Sequence, residues 1–103
     1  MPEPCSAGPF SLVWTHTFVR TARKFIRRHP DLEGMLGDVL SQLEKDPHAA
    51  RLRLHPLKGR HRGKQAVSLT YEHRIVLILR MTSQEVILLD IGTHDEVYRD
   101  AGR

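Results

Sequence analysis

The chain of 103 residues has no apolar run long enough to cross a bilayer, so a membrane span is not expected. It has one cysteine, Cys5, so no internal disulfide can staple the fold, and stability must come from one modest core. Residues 1–9 hold three prolines, a glycine and a serine. They carry neither the basic n-region nor the apolar h-region of a secretory signal, and the expected location is the cytoplasm. Seven histidines invite a metal reading, yet there is no HxH, no HExxH and no cysteine cluster, so no metal is expected. The P-loop and GxGxxG patterns are missing too. Ser68 lacks the strand-turn-helix setting of a hydrolase nucleophile, so neither a nucleotide cofactor nor a Ser/His/Asp hydrolase is indicated.

The most informative absence is charge of one sign. Between Pro47 and Tyr71 there is no Asp or Glu, while Arg51, Arg53, Lys58, Arg60, Arg62 and Lys64 all fall there. The whole chain has sixteen Lys and Arg against twelve Asp and Glu, a net of +4, so outside this window the balance is slightly negative. Positive charge clustered without counter-charge is the footprint of a surface that meets a polyanion, since Arg and Lys neutralise phosphates without reading sequence. The bland alternative is a solvated charged loop.

What is present reads as one domain over residues 10–103 behind an irregular tail of residues 1–9. Phe10, Leu12 and Trp14 alternate as in a short strand. Thr15 or Thr17 can cap the helix that follows, in which Phe18, Ala22, Phe25 and Ile26 recur at helical spacing. Arg20, Arg23, Lys24, Arg27 and Arg28 take its other side. Pro30 stops this helix and opens a second, whose buried stripe is Leu32, Leu36, Val39, Leu40 and Leu43. Gly34 and Gly37 inside it suggest close packing against the first helix. Asp46-Pro47 ends it. A loop-like basic stretch runs from His48 to Lys64. Gln65 to Tyr71 alternates as a half-buried strand, and Glu72-His73-Arg74 reads as a hairpin turn. Ile75 to Leu79 is a continuous apolar run, as in a strand buried on both faces. Val86 to Ile91 is the last strand. The expected fold is α+β: a small antiparallel sheet with a two-helix hairpin on one face, and the basic loop at the rim of the open face.

Near the C-terminus, Gly92 breaks the last strand, and Thr93 and Glu96 have the T-x-x-E spacing of a helix start. His94 and Tyr98, four apart, would share one face of that turn. The helix dipole there disfavours an imidazolium and leaves His94 a neutral base or acceptor. The pair can transfer protons, or it can cap and pack a chain end. His55, inside the basic loop, is an acid or base, a stacking group, or a surface histidine. His48 and His61 read as solvated.

His55-Pro-Leu-Lys-Gly59, then Leu77-Ile-Leu-Arg80, then Leu89-Asp-Ile-Gly-Thr-His-Asp-Glu-Val-Tyr98 together resemble the RelE/ParE superfamily of bacterial toxins, and most of all its YafQ-like mRNA interferase branch. The resemblance covers about residues 10–99 and implies a β-α-α-β-β-β order. It implies the toxin of a type II toxin–antitoxin system, acting as a ribosome-dependent endoribonuclease without metal or cofactor. Such a toxin meets mRNA and rRNA and is silenced in a hetero-oligomer by an acidic antitoxin. By position, His55 and His94 match the two histidines of the branch, Tyr98 its C-terminal aromatic, and Glu72 an acidic position near the hairpin. Arg53, Lys58, Arg60, Arg62 and Lys64 match the basic character of the loop. Two positions depart. Ser68 stands where the branch has a further histidine, and Asp90 where it has an arginine. Arg80 or Arg62 would then have to supply the missing cation. A ParE-like gyrase inhibitor without enzymatic activity and a catalytically weakened binding module on the same fold are the alternatives.

Overall fold

In the computed structural model, residues 9–93 are described. Thr15 shows how the first elements lock together. Its side-chain oxygen accepts the Phe18 N–H at 3.2 Å, capping the helix start, and its hydroxyl donates to the Leu88 carbonyl at 2.7 Å. One residue thus starts α1 (His16–Arg28) and ties it to the sheet. The helix buries Phe18, Ala22 and Phe25 and stops at His29, before Pro30. A 3-10 turn, Pro30–Leu32, leads into α2 (Glu33–Lys45), which buries Leu36, Val39 and Leu43 and has no side-chain cap at its start.

Gly34 and Gly37 do not mark close packing. A methyl group at either would meet nothing within 4 Å. Both lie on the exposed face of α2, where neither the first helix nor the sheet reaches them.

The sheet has five strands. They are β1 (Ser11–Trp14), β2 (His55–Pro56), β3 (Gln65–Ser68), β4 (His73–Arg80) and β5 (Glu85–Thr93), in spatial order β1-β5-β4-β3-β2. β1 runs parallel to β5 at one edge, and the other pairs are antiparallel. β2 adds a strand that periodicity could not reveal, since two residues have no period. The polar triplet Glu72-His73-Arg74 is likewise only partly a turn: His73 and Arg74 already belong to β4.

Side chains alternate between the sheet's two faces. Toward the helices point Val67, Ile75, Leu77, Val86, Leu88 and Ile91, which form the core with Phe18, Phe25, Leu36 and Leu43. A smaller cluster of Leu57, Ala66 and Val76, with Leu89 beside it, lies on the face away from the helices. The central apolar run is therefore buried on both sides at Ile75, Val76 and Leu77, and only half-buried from Ile78 on.

The alternation slips once. Val76 pairs with Asp90 and Leu77 with Leu88, so Leu89 is one residue more than β4 supplies. Strict alternation from Leu88 would send Asp90 toward the helices. The bulge instead gives Asp90 the face of Val76 and returns Ile91 to the core, the re-aiming that bulges produce beside functional sites.

Candidate active site on the open face of the sheet

The register places His55, Ala66, Val76 and Asp90 in one row across β2, β3, β4 and β5. These residues share the face that the helices leave uncovered. The neighbouring row on that face is Ser68, Arg74 and Gly92. Ser68 stands directly opposite Arg74. His55 and Ser68 are diagonal neighbours, as are Arg74 and Asp90, at about 7–8 Å between backbones, within reach of long side chains. Ser68 is small and Gly92 has no side chain, so Arg74 carries the long side chain of this row.

His55 is held in a defined state. Its Nδ1 lies 2.9 Å from the Arg53 carbonyl. A carbonyl can only accept, so Nδ1 carries a proton, and in the neutral form of the ring the lone pair lies on Nε2. Arg53 makes this possible with a left-handed backbone, φ 55°. That conformation is unfavourable for a residue with a β-carbon, and such strain is kept where the surroundings require it. It turns the chain from the 3-10 turn Ala50–Leu52 into β2.

The rest of the basic loop leaves β2 past Pro56 and returns at Gln65, a three-residue 3-10 turn (Gly59–His61) forming its middle. Gly59 and Gly63 both have positive φ, 66° and 91°, which suits glycine and lets the loop fold back. Lys58 and Arg62 are exposed, Lys64 is half-buried, and Arg60 sits within the 3-10 turn. The loop lies at the end of the sheet toward which β4 runs to Arg80. Arg80 is on the open face, yet it pairs across with Glu85. It is six residues along β4 from Arg74, about 20 Å away. The cation diagonal to Asp90 is Arg74, whose polar neighbours Glu72 and His73 give it the sequence pattern of a turn.

His61 corrects another expectation. It is not solvated but only 8% exposed, and burial pushes its imidazole below the ordinary value, with Lys64 adding to the effect. His48 is exposed and stands 3.9 Å from the Asp46 carboxylate. Glu72 is exposed on the β3–β4 turn, and the Thr70 hydroxyl oxygen accepts the Glu72 and His73 N–H groups at 3.2 and 3.0 Å. This braced turn presents Tyr71 wholly to solvent, at the end of the sheet nearest Arg74. Neither Arg74 nor Tyr71 had a signal of its own in the sequence. His94 and Tyr98 lie outside the described residues. Among the described residues, no group of three or more His, Cys, Asp or Glu is placed to hold a metal ion.

The fold, with its helix pair over one face of a mostly antiparallel sheet, is that of the RelE/ParE toxins. The chain is similar to the YoeB/ParE toxin from Agrobacterium tumefaciens, with a TM-score of 0.70 and 24% identity over 82% of this chain and 99% of that one. A point mutant of YafQ from Escherichia coli matches with a TM-score of 0.74 and 16% identity, over 87% of this chain and 99% of that one. A chain in the RelBE2 toxin–antitoxin complex from Mycobacterium tuberculosis matches with a TM-score of 0.62 and 18% identity, over 85% of this chain and 94% of that one. No family model matches the sequence, and no curated protein does. Among the described residues, no helix is long and apolar enough to cross a membrane.

Proposed function

We propose that this protein is the toxin of a type II toxin–antitoxin system and cleaves mRNA on the ribosome by transesterification. The observation that carries the reading is His55, held as the Nδ1–H tautomer on an open, cation-flanked sheet face two strands from Arg74. In the reaction the 2′-hydroxyl attacks the adjacent phosphorus, the bond to the 5′-oxygen breaks, and a cyclic phosphate and a 5′-hydroxyl result. His55 Nε2 takes the proton of the attacking hydroxyl. Arg74 offsets the negative charge that builds on the phosphoryl oxygens. The leaving oxygen takes its proton from an acid; the resemblance matches His94 to the second histidine of the branch without fixing which of the two is the acid, and this reading gives that role to His94. Lys58, Arg60 and Arg62 hold the flanking phosphates. The likeness to a toxin solved with its antitoxin supports an acidic antitoxin as partner, since a cation-rimmed face suits a partner of opposite charge.

The test is a translation extract with cleavage sites mapped by primer extension. His55→Ala is expected to slow cleavage by about 10²–10⁴-fold. Arg74→Ala is expected to slow it by about 10²–10³-fold. Asp90→Arg, which exchanges a carboxylate beside Arg74 for a second cation, should raise the rate. Intact mRNA together with loss of gyrase supercoiling, indifferent to His55, would replace this reading with the non-enzymatic one.

A further inference from the structure

We infer that the outer face of α1 is a second docking surface, on the side of the sheet opposite the candidate active site, and that it takes the phosphate backbone of folded, double-helical RNA. The basic loop is not the only stretch without acids. From Pro4 to Pro30 there is no Asp or Glu, and all five cations of that window, Arg20, Arg23, Lys24, Arg27 and Arg28, lie in α1. At about 100° per residue, Arg20, Arg23, Lys24 and Arg27 share one face, directly opposite buried Phe18, Ala22 and Phe25. They are exposed, and among the described residues none of these four makes an ion pair. Arg20 to Arg27 spans about 10.5 Å of helix axis.

Folding does not account for this arrangement. Arg20 with Lys24, and Arg23 with Arg27, are like charges four apart; Arg20 with Arg23, and Lys24 with Arg27, are three apart. Each such pair is unfavourable in an isolated helix. The dipole favours cations only in the last turn, where Arg27 and Arg28 stand, and not at Arg20 or Arg23. A polyanion would remove the repulsion.

Two observations favour a phosphate backbone over an acidic protein. Stable protein docking relies on buried apolar anchors, and none of the large exposed apolar side chains of the described residues (Val13, Trp14, Met35, Tyr71, Met81) lies on α1. Three of the four cations are arginine, whose fork matches phosphate. A nucleic-acid duplex carries a charge about every 1.7 Å of axis, so a stripe of this length faces several phosphates at once. The choice of RNA over DNA rests on the ribonuclease reading; the existence of the surface does not.

The experiment uses the full chain and a fluorescein-labelled 20-base-pair RNA duplex, followed by anisotropy across a salt series. The variant Arg20→Gln/Lys24→Gln/Arg27→Gln keeps residues of similar helix propensity. It is expected to weaken duplex binding by at least tenfold, to flatten the salt slope by roughly two to three, and to raise the melting temperature at low salt. Arg20→Lys/Arg23→Lys/Arg27→Lys should keep the salt slope. His55→Ala should leave duplex binding unchanged while slowing cleavage by about 10²–10⁴-fold, which separates failure of this proposal from failure of the catalytic one. Unchanged duplex binding in the triple Gln variant would overturn the proposal. Tighter α1-dependent binding of a DNA duplex, or of an acidic helical peptide, would overturn the assignment to RNA.

Discussion

On the helix side of the sheet, Val67, Ile75, Leu77, Val86 and Leu88 are completely out of water. On the other side the same three strands present Ser68, Arg74, Ile78, Ile87 and Asp90, none of them fully buried. Adjacent residues of one strand thus have separate tasks. The helix side supplies the stability that lets the open side carry a guanidinium, a carboxylate and an oriented imidazole in neighbouring rows. Away from the small cluster of Leu57, Ala66 and Val76, a residue's side decides what its loss should do.

Leu77→Ala against Ile78→Ala tests that division most directly, because the two are neighbours in β4. Leu77 is 0% exposed and sits in the main core. Its truncation removes buried methyl groups and leaves a cavity, so urea unfolding should show a loss of about 2–5 kcal/mol. Ile78→Ala, half-exposed on the open side, should lose about 1 kcal/mol or less. Equal losses would mean that the open face is covered in solution.

His61 blurs the division, since it is a titratable group buried in the basic loop on the rim. Its imidazole gains a proton less readily in the folded chain than in the unfolded one. The stability it contributes is therefore fully present above the unfolded value near 6.5 and is lost as pH falls through the lower folded value. Melting temperature should drop on acidification from neutral pH, and His61→Gln should make the drop shallower. A steeper drop in the variant would show that His61 is charged in the fold.

Most of the architecture could be read from the chain because it rests on periodic patterns. The stripe of Phe18, Ala22 and Phe25, the Pro30 punctuation and the apolar run through Leu77 all express their structure locally. The site was less legible because its geometry depends on register. Nothing in Leu89-Asp90 signals a bulge, yet one extra residue decides which face Asp90 takes. Arg74 looked like part of a turn because Glu72, His73 and Arg74 are all polar. His73 is held at the strand start by tertiary contacts, its ring 4.9 Å from Phe25 and 5.0 Å from His29. His55 was visible as a histidine in a loop, but its tautomer depends on a left-handed Arg53 that no propensity predicts. The pairing of His94 with Tyr98 falls outside the described residues.

The smallest expected effect bears on where the helix side ends. The inward half of α2 is packed through Leu36, Val39 and Leu43, and its outward half carries Gly34 and Gly37 with nothing within 4 Å of an added methyl group. Each glycine lowers helix stability by about 1 kcal/mol relative to alanine, mainly through the freedom it gives the unfolded chain. With no packing reason for a glycine at either place, Gly34→Ala and Gly37→Ala should each stabilise the protein by about 0.5–1 kcal/mol. The two gains act through the same helix without shared contacts, so the double variant should show close to their sum in urea unfolding. A loss at either position would mean that a partner's backbone or another copy of the chain approaches α2 there, and that the outer surface of this helix is a third working face of the molecule.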